Sequence, residues 1–129
     1  MVIREDFVLS NSKISEISAK CYDFYKKCIS EKRQYSEIGV TLFMEETLIH
    51  LQSVYGEDAE CSVFYKRSIF GSKVEFVVPG NRIDPLASKN EELEYSRHIL
   101  QSYGIAPNYR YNNNLNANEI TIDLIQEPI

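Results

Sequence analysis

The sequence predicts an α+β protein: a two-layer sandwich of about three helices on a mixed, mostly antiparallel sheet. Helical and strand-like apolar patterns follow one another in the order strand, helix, helix, strand, strand, helix, strand, strand. The length of 129 residues fits one domain spanning 1–129, because no repeat or linker interrupts it. Hydrophobic residues make up 43% of the chain and charged residues 26%, which is typical of a globular protein.

The first half of the chain predicts one strand followed by two helices. The stretch VIREDFVLS (2–10) is typical of a strand, and Asn11 or Ser12 can cap the helix after it. A second helix is predicted from Tyr35 to Tyr55, and its apolar residues surround most of its circumference, so we expect it to be central and covered. The first helix carries one apolar stripe at spacings of three and four: Ile14, Ile17, Cys21, Phe24 and Cys28.

The second half predicts a β-hairpin, a third helix and two further strands. CSVFYKRS (61–68) and KVEFVVPG (73–80) alternate polar and apolar residues around a turn at Gly71. A polar loop then leads to a helix over 91–104, and EITIDLI (119–125) closes the chain as a strand. Three residues of the last strand are expected to face inward: Ile120, Ile122 and Leu124.

Composition and charge exclude several classes of function. Fourteen Lys and Arg against nineteen Asp and Glu give a net charge of −5 without a dense basic patch, so we expect no nucleic-acid partner. No stretch approaches the roughly 20 apolar residues of a membrane helix, so no membrane insertion is expected, and the charged N-terminus is unlike a signal peptide. The three cysteines lack CxxC spacing, which predicts buried thiols rather than a disulfide or zinc site. We therefore expect a cytoplasmic protein.

The stretch MEETLIHLQSVYG (44–56) holds the most informative chemical pattern. Glu46 and His50 lie four residues apart, hence on one face of the second helix, which is otherwise apolar. A buried carboxylate is costly unless it is hydrogen-bonded or open to a cleft. The pair is therefore either a chemical site or the remnant of one. P-loop, dinucleotide-binding and HExxH motifs are missing from the chain, and no set of metal ligands is legible.

Several stretches, in this order and spacing, resemble the GHKL, or histidine-kinase-like, ATPase domain, most closely its compact anti-sigma-factor serine-kinase type. FMEETLIH (43–50) is similar to the N-box helix, which bears a Glu and, after three residues, an Asn. KVEFVVPGNRIDP (73–85) is similar to the strand and turn that hold the family's Asp-x-Gly. ELEYSRHILQSYG (92–104) and NANEITIDL (116–124) are similar to its last helix and strand. The resemblance covers 7–124.

The resemblance assigns nucleotide-site roles to individual residues. Glu46 falls on the catalytic N-box acid, which polarises water or an acceptor hydroxyl, and His50 falls on the Asn that holds magnesium. Val78 falls on the Asp that accepts a hydrogen bond from adenine, and Gly80 falls on the glycine beside the base. Where the family has a glycine-rich phosphate loop, this chain has LASKNEE (86–92), which contains no glycine.

These positions depart from what ATP and magnesium require. Magnesium prefers oxygen ligands, so an imidazole at position 50 is a poor replacement for an amide oxygen. A valine cannot accept the adenine amino hydrogen, and a backbone without glycine wraps phosphate poorly. Lys89 is a nearby cation that can compensate, and Arg82 is a second candidate. ATP and Mg²⁺ are therefore expected to bind weakly or not at all.

Three interpretations stay open. The first is a divergent domain of this architecture in bacterial-type signalling or regulation, with weakened or lost ATP binding and a contact to a protein partner or neighbouring domain. The second is a working ATP- and magnesium-binding domain of the serine- or histidine-kinase type, and the third is an unrelated sandwich. The isolated chain is not expected to be an enzyme, since no dimerisation helix carrying a phosphoacceptor is present. If it is active, the resemblance implies an ATP-dependent protein kinase or ATPase.

Overall fold

A computed structural model of the protein describes residues 2–68, 71–87 and 105–124. These residues form two long helices and five strands, together with short 3-10 turns at Glu31–Arg33 and Pro85–Ala87. In chain order the elements are β1 (Val2–Val8), α1 (Asn11–Cys28), α2 (Glu37–Tyr55), β2 (Glu60–Ser68), β3 (Gly71–Pro79), β4 (Ile105–Asn112) and β5 (Ala117–Leu124). The expected helix over 91–104 lies outside the described residues, as does Lys89.

The five strands form one sheet in the order β1-β2-β3-β5-β4. Every neighbouring pair is antiparallel, so the expected parallel pairing of a mixed sheet is not found among the described strands. The two hairpins, β2 with β3 and β4 with β5, are joined by the pairing of β3 with β5. The α+β architecture with helices on an antiparallel sheet is confirmed. Strand β1 lies at one edge of this sheet and β4 at the other.

Helix α1 begins one position earlier than its expected caps imply. Its N-cap is Ser10, whose carbonyl accepts the Ile14 N–H at 3.0 Å, so the expectation that Asn11 or Ser12 caps the helix is wrong. Ser10 has an extended backbone (φ −84, ψ 156) and makes no side-chain cap bond. The apolar stripe is confirmed, because each of its five residues is buried against α2 or the sheet.

Helix α2 begins later than expected, at Glu37 rather than Tyr35. Its N-cap is Ser36, whose Oγ accepts the Gly39 N–H at 3.1 Å. The predicted stop at Gly56 is confirmed: this glycine has φ 106, a conformation that disfavours a side chain, and its N–H bonds to Gln52 O at 2.8 Å.

Among the residues that the structure describes, helix α2 is covered on one side only. Val40, Met44 and Leu51 are completely or almost completely buried. The opposite side carries three exposed aliphatic residues, which we call the outer stripe: Ile38 at 82% exposure, Leu42 at 47% and Ile49 at 37%. The prediction that other elements cover this helix all round is therefore wrong. The apolar residues that made the helix look central belong to two opposite faces.

The core lies between the two helices and one face of the sheet. Alternation places Val74, Phe76 and Val78 of β3 on this face, where each is at most 2% exposed. The inward-facing residues expected on β5 are likewise buried, and all three cysteines are free and buried, as predicted. The other face of the sheet is polar, but it still buries Glu75 and Glu119 to 8% and 6% exposure.

Candidate functional site

The loop that follows β3, residues 80–87, contains Gly80 and Arg82, two of the residues predicted for the nucleotide site. Gly80 begins it with φ 128, a conformation that a side chain would strain. A Cβ built on Gly80 meets nothing within 4 Å, so the backbone angle, rather than a close neighbour, explains the glycine. Both of its backbone groups are used within the chain: its N–H bonds to Asn116 O, and its C=O accepts the Tyr111 hydroxyl, each at 2.9 Å.

Asn118 of β5 bonds to this loop from the sheet. It is 1% exposed, and its amide donates to Asn81 O at 2.9 Å and to Val78 O at 3.2 Å. Its Oδ1 accepts the Ile83 N–H at 3.0 Å and the Tyr109 hydroxyl at 2.6 Å. Both donors and both lone pairs of one buried side chain are thereby satisfied. Such a fully bonded amide holds strand, loop and neighbouring strand in one arrangement.

Tyr55, at the end of α2, holds the same loop from the helix side. Its hydroxyl donates to Ile83 O at 2.7 Å. Burial raises the pKa of Tyr55, and burial likewise raises the pKa of Tyr109, so both hydroxyls stay protonated and remain donors at neutral pH. Ile83 is therefore bonded through its N–H to the sheet and through its C=O to α2.

His50, more than one turn before Tyr55 on α2, is a second contact between this helix and the loop. The ring is 6% exposed, and its Nε2 lies 2.6 Å from Pro85 O. A carbonyl oxygen can only accept, so Nε2 carries the hydrogen and offers no lone pair to a metal in this arrangement. The side chain that the resemblance places at the magnesium position thus bonds to the loop's own backbone.

The remaining predicted site residues lie around this loop. Glu46 is half-buried one turn before His50 on α2, and Val78 is buried in the core at the end of β3. Arg82 is exposed in the loop, close enough to Tyr109 for its charge to act on that hydroxyl. Helix α2 and the loop after β3 are therefore in contact, while Lys89 lies outside the described residues.

A cleft of about 360 Å³ lies between the end of α2 and the ends of β2 and β3. Its lining is mixed: the apolar Pro79 and Val78 lie beside the carboxylate of Glu60 and the amides of Asn81 and Asn118. None of the described residues that line it is a Lys or an Arg. The lining residues are Tyr55, Ala59, Glu60, Val78, Pro79, Asn81, Ile83 and Asn118. A lining with an anionic carboxylate and no described cation does not suit a polyphosphate.

Neither a metal-binding cluster nor a membrane-spanning helix is found among the described residues. Within 2–68, 71–87 and 105–124, no group of three or more His, Cys, Asp or Glu is placed to hold a metal ion. No helix in this same part of the chain is both long and apolar enough to cross a bilayer.

No protein-family model matches the sequence, and no curated protein matches it.

Asn118 was not among the site residues predicted from the sequence, although it makes four of the bonds that shape the loop. A signal was present: Asn118 is in phase with the inward-facing Ile120 and Ile122 of the same strand. A polar residue at an inward position must find partners, so the alternation alone marks it as structurally important. Which groups it bonds depends on the pairing of β3 with β5.

Proposed function

We propose that the chain is a divergent regulatory domain of histidine-kinase-like ATPase architecture, acting in cytoplasmic signalling of the bacterial type, that has weakened or lost nucleotide binding and works through a protein contact. The observation that carries the proposal is the bond between His50 Nε2 and Pro85 O at 2.6 Å. This bond commits the Nε2–H of His50 to the backbone of the loop, and an imidazole at this position supplies no oxygen ligand to the metal of MgATP.

Magnesium is the first requirement that these residues fail. It prefers near-octahedral oxygen coordination at about 2.1 Å, and the imidazole supplies no oxygen. Nε2 can reach a metal only if its buried hydrogen bond to Pro85 O breaks, which costs on the order of 1–3 kcal/mol. Metal binding is therefore opposed by the ligand type and, at Nε2, also by this bond.

Adenine recognition is the second requirement. Val78 is 2% exposed and packs in the core, so this position offers no acceptor to an adenine amino group. An unpaired donor in a closed pocket costs on the order of 1–3 kcal/mol, or roughly five- to 150-fold in affinity. The backbone carbonyl of Val78 cannot replace the lost carboxylate freely, because it already accepts from Asn118.

The outer stripe of α2 supplies a surface for a protein partner. Ile38, Leu42 and Ile49 follow the spacing i, i+4, i+11, with Glu45 at the intervening i+7 position. This is the spacing by which one helix packs along another. Glu45 lies within the stripe and Glu37 precedes it, so the partner whose charge is complementary is an amphipathic helix with an apolar seam and basic flanks.

A calorimetric titration with MgATP tests the loss of nucleotide binding, with the melting temperature followed in parallel. We expect no binding heat and no change in Tm at about 1 mM nucleotide. A dissociation constant below about 100 µM stabilises the fold by roughly 1.4 kcal/mol at that concentration, or about 5 °C in Tm, and would establish the working ATP domain instead.

A double variant tests whether the nucleotide positions are correctly assigned. His50→Asn with Val78→Asp supplies the oxygen ligand and the acceptor that the resemblance requires, and we expect measurable MgATP binding to appear if it folds. Each single variant serves as the matched control. A folded double variant that still does not bind contradicts the residue assignment, while leaving the outer stripe unaffected.

Synthetic helices test the outer stripe directly. We expect a peptide with a leucine seam and lysine flanks to bind, and the same peptide with glutamate flanks to bind at least about tenfold more weakly. Leu42→Ser should weaken the lysine peptide about tenfold, whereas Ser15→Ala, at an exposed position of α1, should not. Equal binding of both peptides, or no effect of Leu42→Ser, contradicts this surface.

A further inference from the structure

Strand β1 is an edge strand whose outer side is paired with no described strand. It bonds to β2 alone, in an uninterrupted register from Val2 to Val8. Edge strands are usually protected by charged side chains, a proline or a bulge. Strand β1 has no proline and no bulge, and its charged residues are confined to its centre, Arg4, Glu5 and Asp6. On either side of them, three of its aliphatic side chains are exposed: Val2 at 61%, Ile3 at 49% and Val8 at 40%. The strand is thus a template for pairing with another strand.

Half of the backbone groups of β1 point away from β2. Leu9 donates its N–H to Ala59 O at 3.0 Å, which places the odd-numbered residues in hydrogen-bonded pairs with β2. Because the direction alternates along a strand, the even-numbered residues direct their N–H and C=O groups outward. The Val8 carbonyl is already used, since it accepts the Ser10 N–H at 2.7 Å. The outward-facing residues are Val2, Arg4, Asp6 and Val8.

The side chains of β1 are complementary to themselves when the strand is reversed. In VIREDFV the first two and the last two residues are apolar. Between them lie the cationic Arg4, then Glu5, then the anionic Asp6. In an antiparallel pair of copies centred on Glu5, Arg4 of each copy therefore lies opposite Asp6 of the other. The same register brings together the outward-facing backbone groups of these two residues. The apolar pairs are Val2 with Val8 and Ile3 with Phe7.

Other registers destroy this match. Moving the second copy by two residues in one direction places Arg4 opposite Arg4 and Val2 opposite Asp6. Moving it in the other direction places Asp6 opposite Asp6 and Glu5 opposite Phe7. A shift of one residue turns the paired side chains to opposite faces of the sheet. Only the register centred on Glu5 joins opposite charges and apolar residues together.

Glu5 is the one unfavourable position in this register, because the two copies of it face each other. Lys20 of α1 already bonds to its carboxylate, with Nζ at 2.8 and 3.1 Å from the two oxygens. Across the two-fold axis the charged side chains therefore follow in the order Lys20 and Glu5 of one copy, then Glu5 and Lys20 of the other. The lysines reduce the repulsion, and removal of the glutamate charge should strengthen the pairing.

We infer that two copies of the chain form a two-fold dimer through β1, in the register centred on Glu5, so that the five described strands of each copy join into one antiparallel sheet. Two strands of seven residues make a small interface, and the dissociation constant is on the order of 10–100 µM. The inference does not depend on the proposed function, since no residue of β1 belongs to the outer stripe or to the loop after β3.

Sedimentation equilibrium of the whole chain tests the dimer, with charge-swap variants of β1. The average mass should rise from 15.0 kDa toward twice that value as the concentration increases. Arg4→Asp alone and Asp6→Arg alone should each weaken association about tenfold or more, because each places like charges opposite one another. The double variant Arg4→Asp/Asp6→Arg should restore it to within about threefold of the wild type, and Glu5→Gln should tighten it about threefold or more.

Leu42→Gln is the control for association through the outer stripe, and it should leave the dimer unchanged. A wild-type chain that stays at 15.0 kDa up to about 1 mM overturns the inference. A folded double variant that does not recover overturns the register. If the double variant unfolds, Glu5→Gln decides alone: weaker or unchanged association contradicts a pairing centred on that residue.

Discussion

The loop after β3 and the edge strand β1 use their polar groups in opposite ways. In the loop, the backbone groups of Gly80 and Ile83 and the carbonyls of Asn81 and Pro85 are bonded within the chain. On β1, the outward groups of alternate residues face no described strand, and aliphatic side chains are exposed beside them. One region is closed by internal bonds, and the other is open to a second molecule.

This difference underlies the binding that we propose. A cleft that binds ATP must leave donors, acceptors and a metal ligand available, whereas His50 and Asn118 of this chain direct theirs to the loop backbone. The surfaces that do offer complementary groups are the edge of β1 and the outer stripe of α2. These contacts are the basis of our proposal that the chain associates with protein rather than with a nucleotide.

The largest expected effect is on the closed region, from Asn118→Ala. The variant leaves two carbonyls, one N–H and one hydroxyl without their buried partner. We expect the free energy of unfolding to fall by about 3–4 kcal/mol, measured by urea denaturation. Asn108→Ala is the matched control, since Asn108 is exposed and bonds to Asp123 at 3.2 Å, and it should change stability by less than about 0.5 kcal/mol. Equal losses in both variants would show that Asn118 contributes no more to stability than the exposed Asn108.

His50→Ala should have the next largest effect. It removes a buried ring and leaves Pro85 O without the Nε2 donor, so the free energy of unfolding should fall by about 2 kcal/mol. Ser53→Ala, at an exposed position of the same helix, is the control and should be neutral. A loss below about 0.5 kcal/mol would show that the ring does not fasten the loop.

A smaller effect is expected at Glu119, next to Asn118 on the opposite face of the sheet. Burial alone raises the pKa of Glu119, but the hydrogen bonds from Arg110 at 2.7 and 3.1 Å and from Asn112 at 3.1 Å outweigh it and hold the pKa below the ordinary 4.5. A carboxylate with a lowered folded-state pKa stabilises the fold above its unfolded pKa and loses this contribution as the pH falls through the folded value.

Glu119→Gln should therefore lower the free energy of unfolding by about 1 kcal/mol at pH 7. The difference from the wild type should shrink as the pH falls below 4.5, where the unfolded-state carboxyl becomes protonated. Urea denaturation between about pH 7 and pH 3 measures both values. A difference that is constant with pH would show that the charge of Glu119 does not contribute; Glu57→Gln, in an exposed turn, is the control.

The smallest effect on folding is expected at β1. Arg4→Asp and Asp6→Arg should leave the Tm of the monomer within about 2 °C of the wild type, because the ion pair that Arg4 and Asp6 form within the monomer, at 2.9 Å, is exposed to water and contributes little. Their effect should appear only in association. A large loss of Tm in dilute solution would mean that these charges stabilise the monomer rather than the dimer.

The sequence predicts the elements of this fold well because apolar periodicity reports local structure. The stripe of α1 and the inward residues of β5 are examples, since each pattern is determined by the residue's own element. It predicts α2 less well, because two apolar faces on one helix look the same whether one or both are covered. Ile38 was expected to be buried and is 82% exposed.

The contacts of the candidate site depend on pairings between distant parts of the chain. The sequence places Glu46 and His50 one turn apart, but it does not indicate that His50 bonds to Pro85, 35 residues later. Asn118 meets Ile83 only because β3 pairs with β5. Positions of the site could therefore be proposed from the sequence, but their partners required the fold.

Hydrogen exchange of single backbone amides tests the contrast between the two regions most directly. We predict that the Ile83 N–H is protected to the same degree at every protein concentration and with or without MgATP, because Asn118 holds it in the monomer. The N–H groups of Arg4 and Asp6 should exchange freely in dilute solution and become protected as the concentration rises. If the protection of the Ile83 N–H changes with MgATP, and the protection of the Arg4 and Asp6 N–H groups does not change with protein concentration, the contrast between a closed loop and an open edge strand is contradicted.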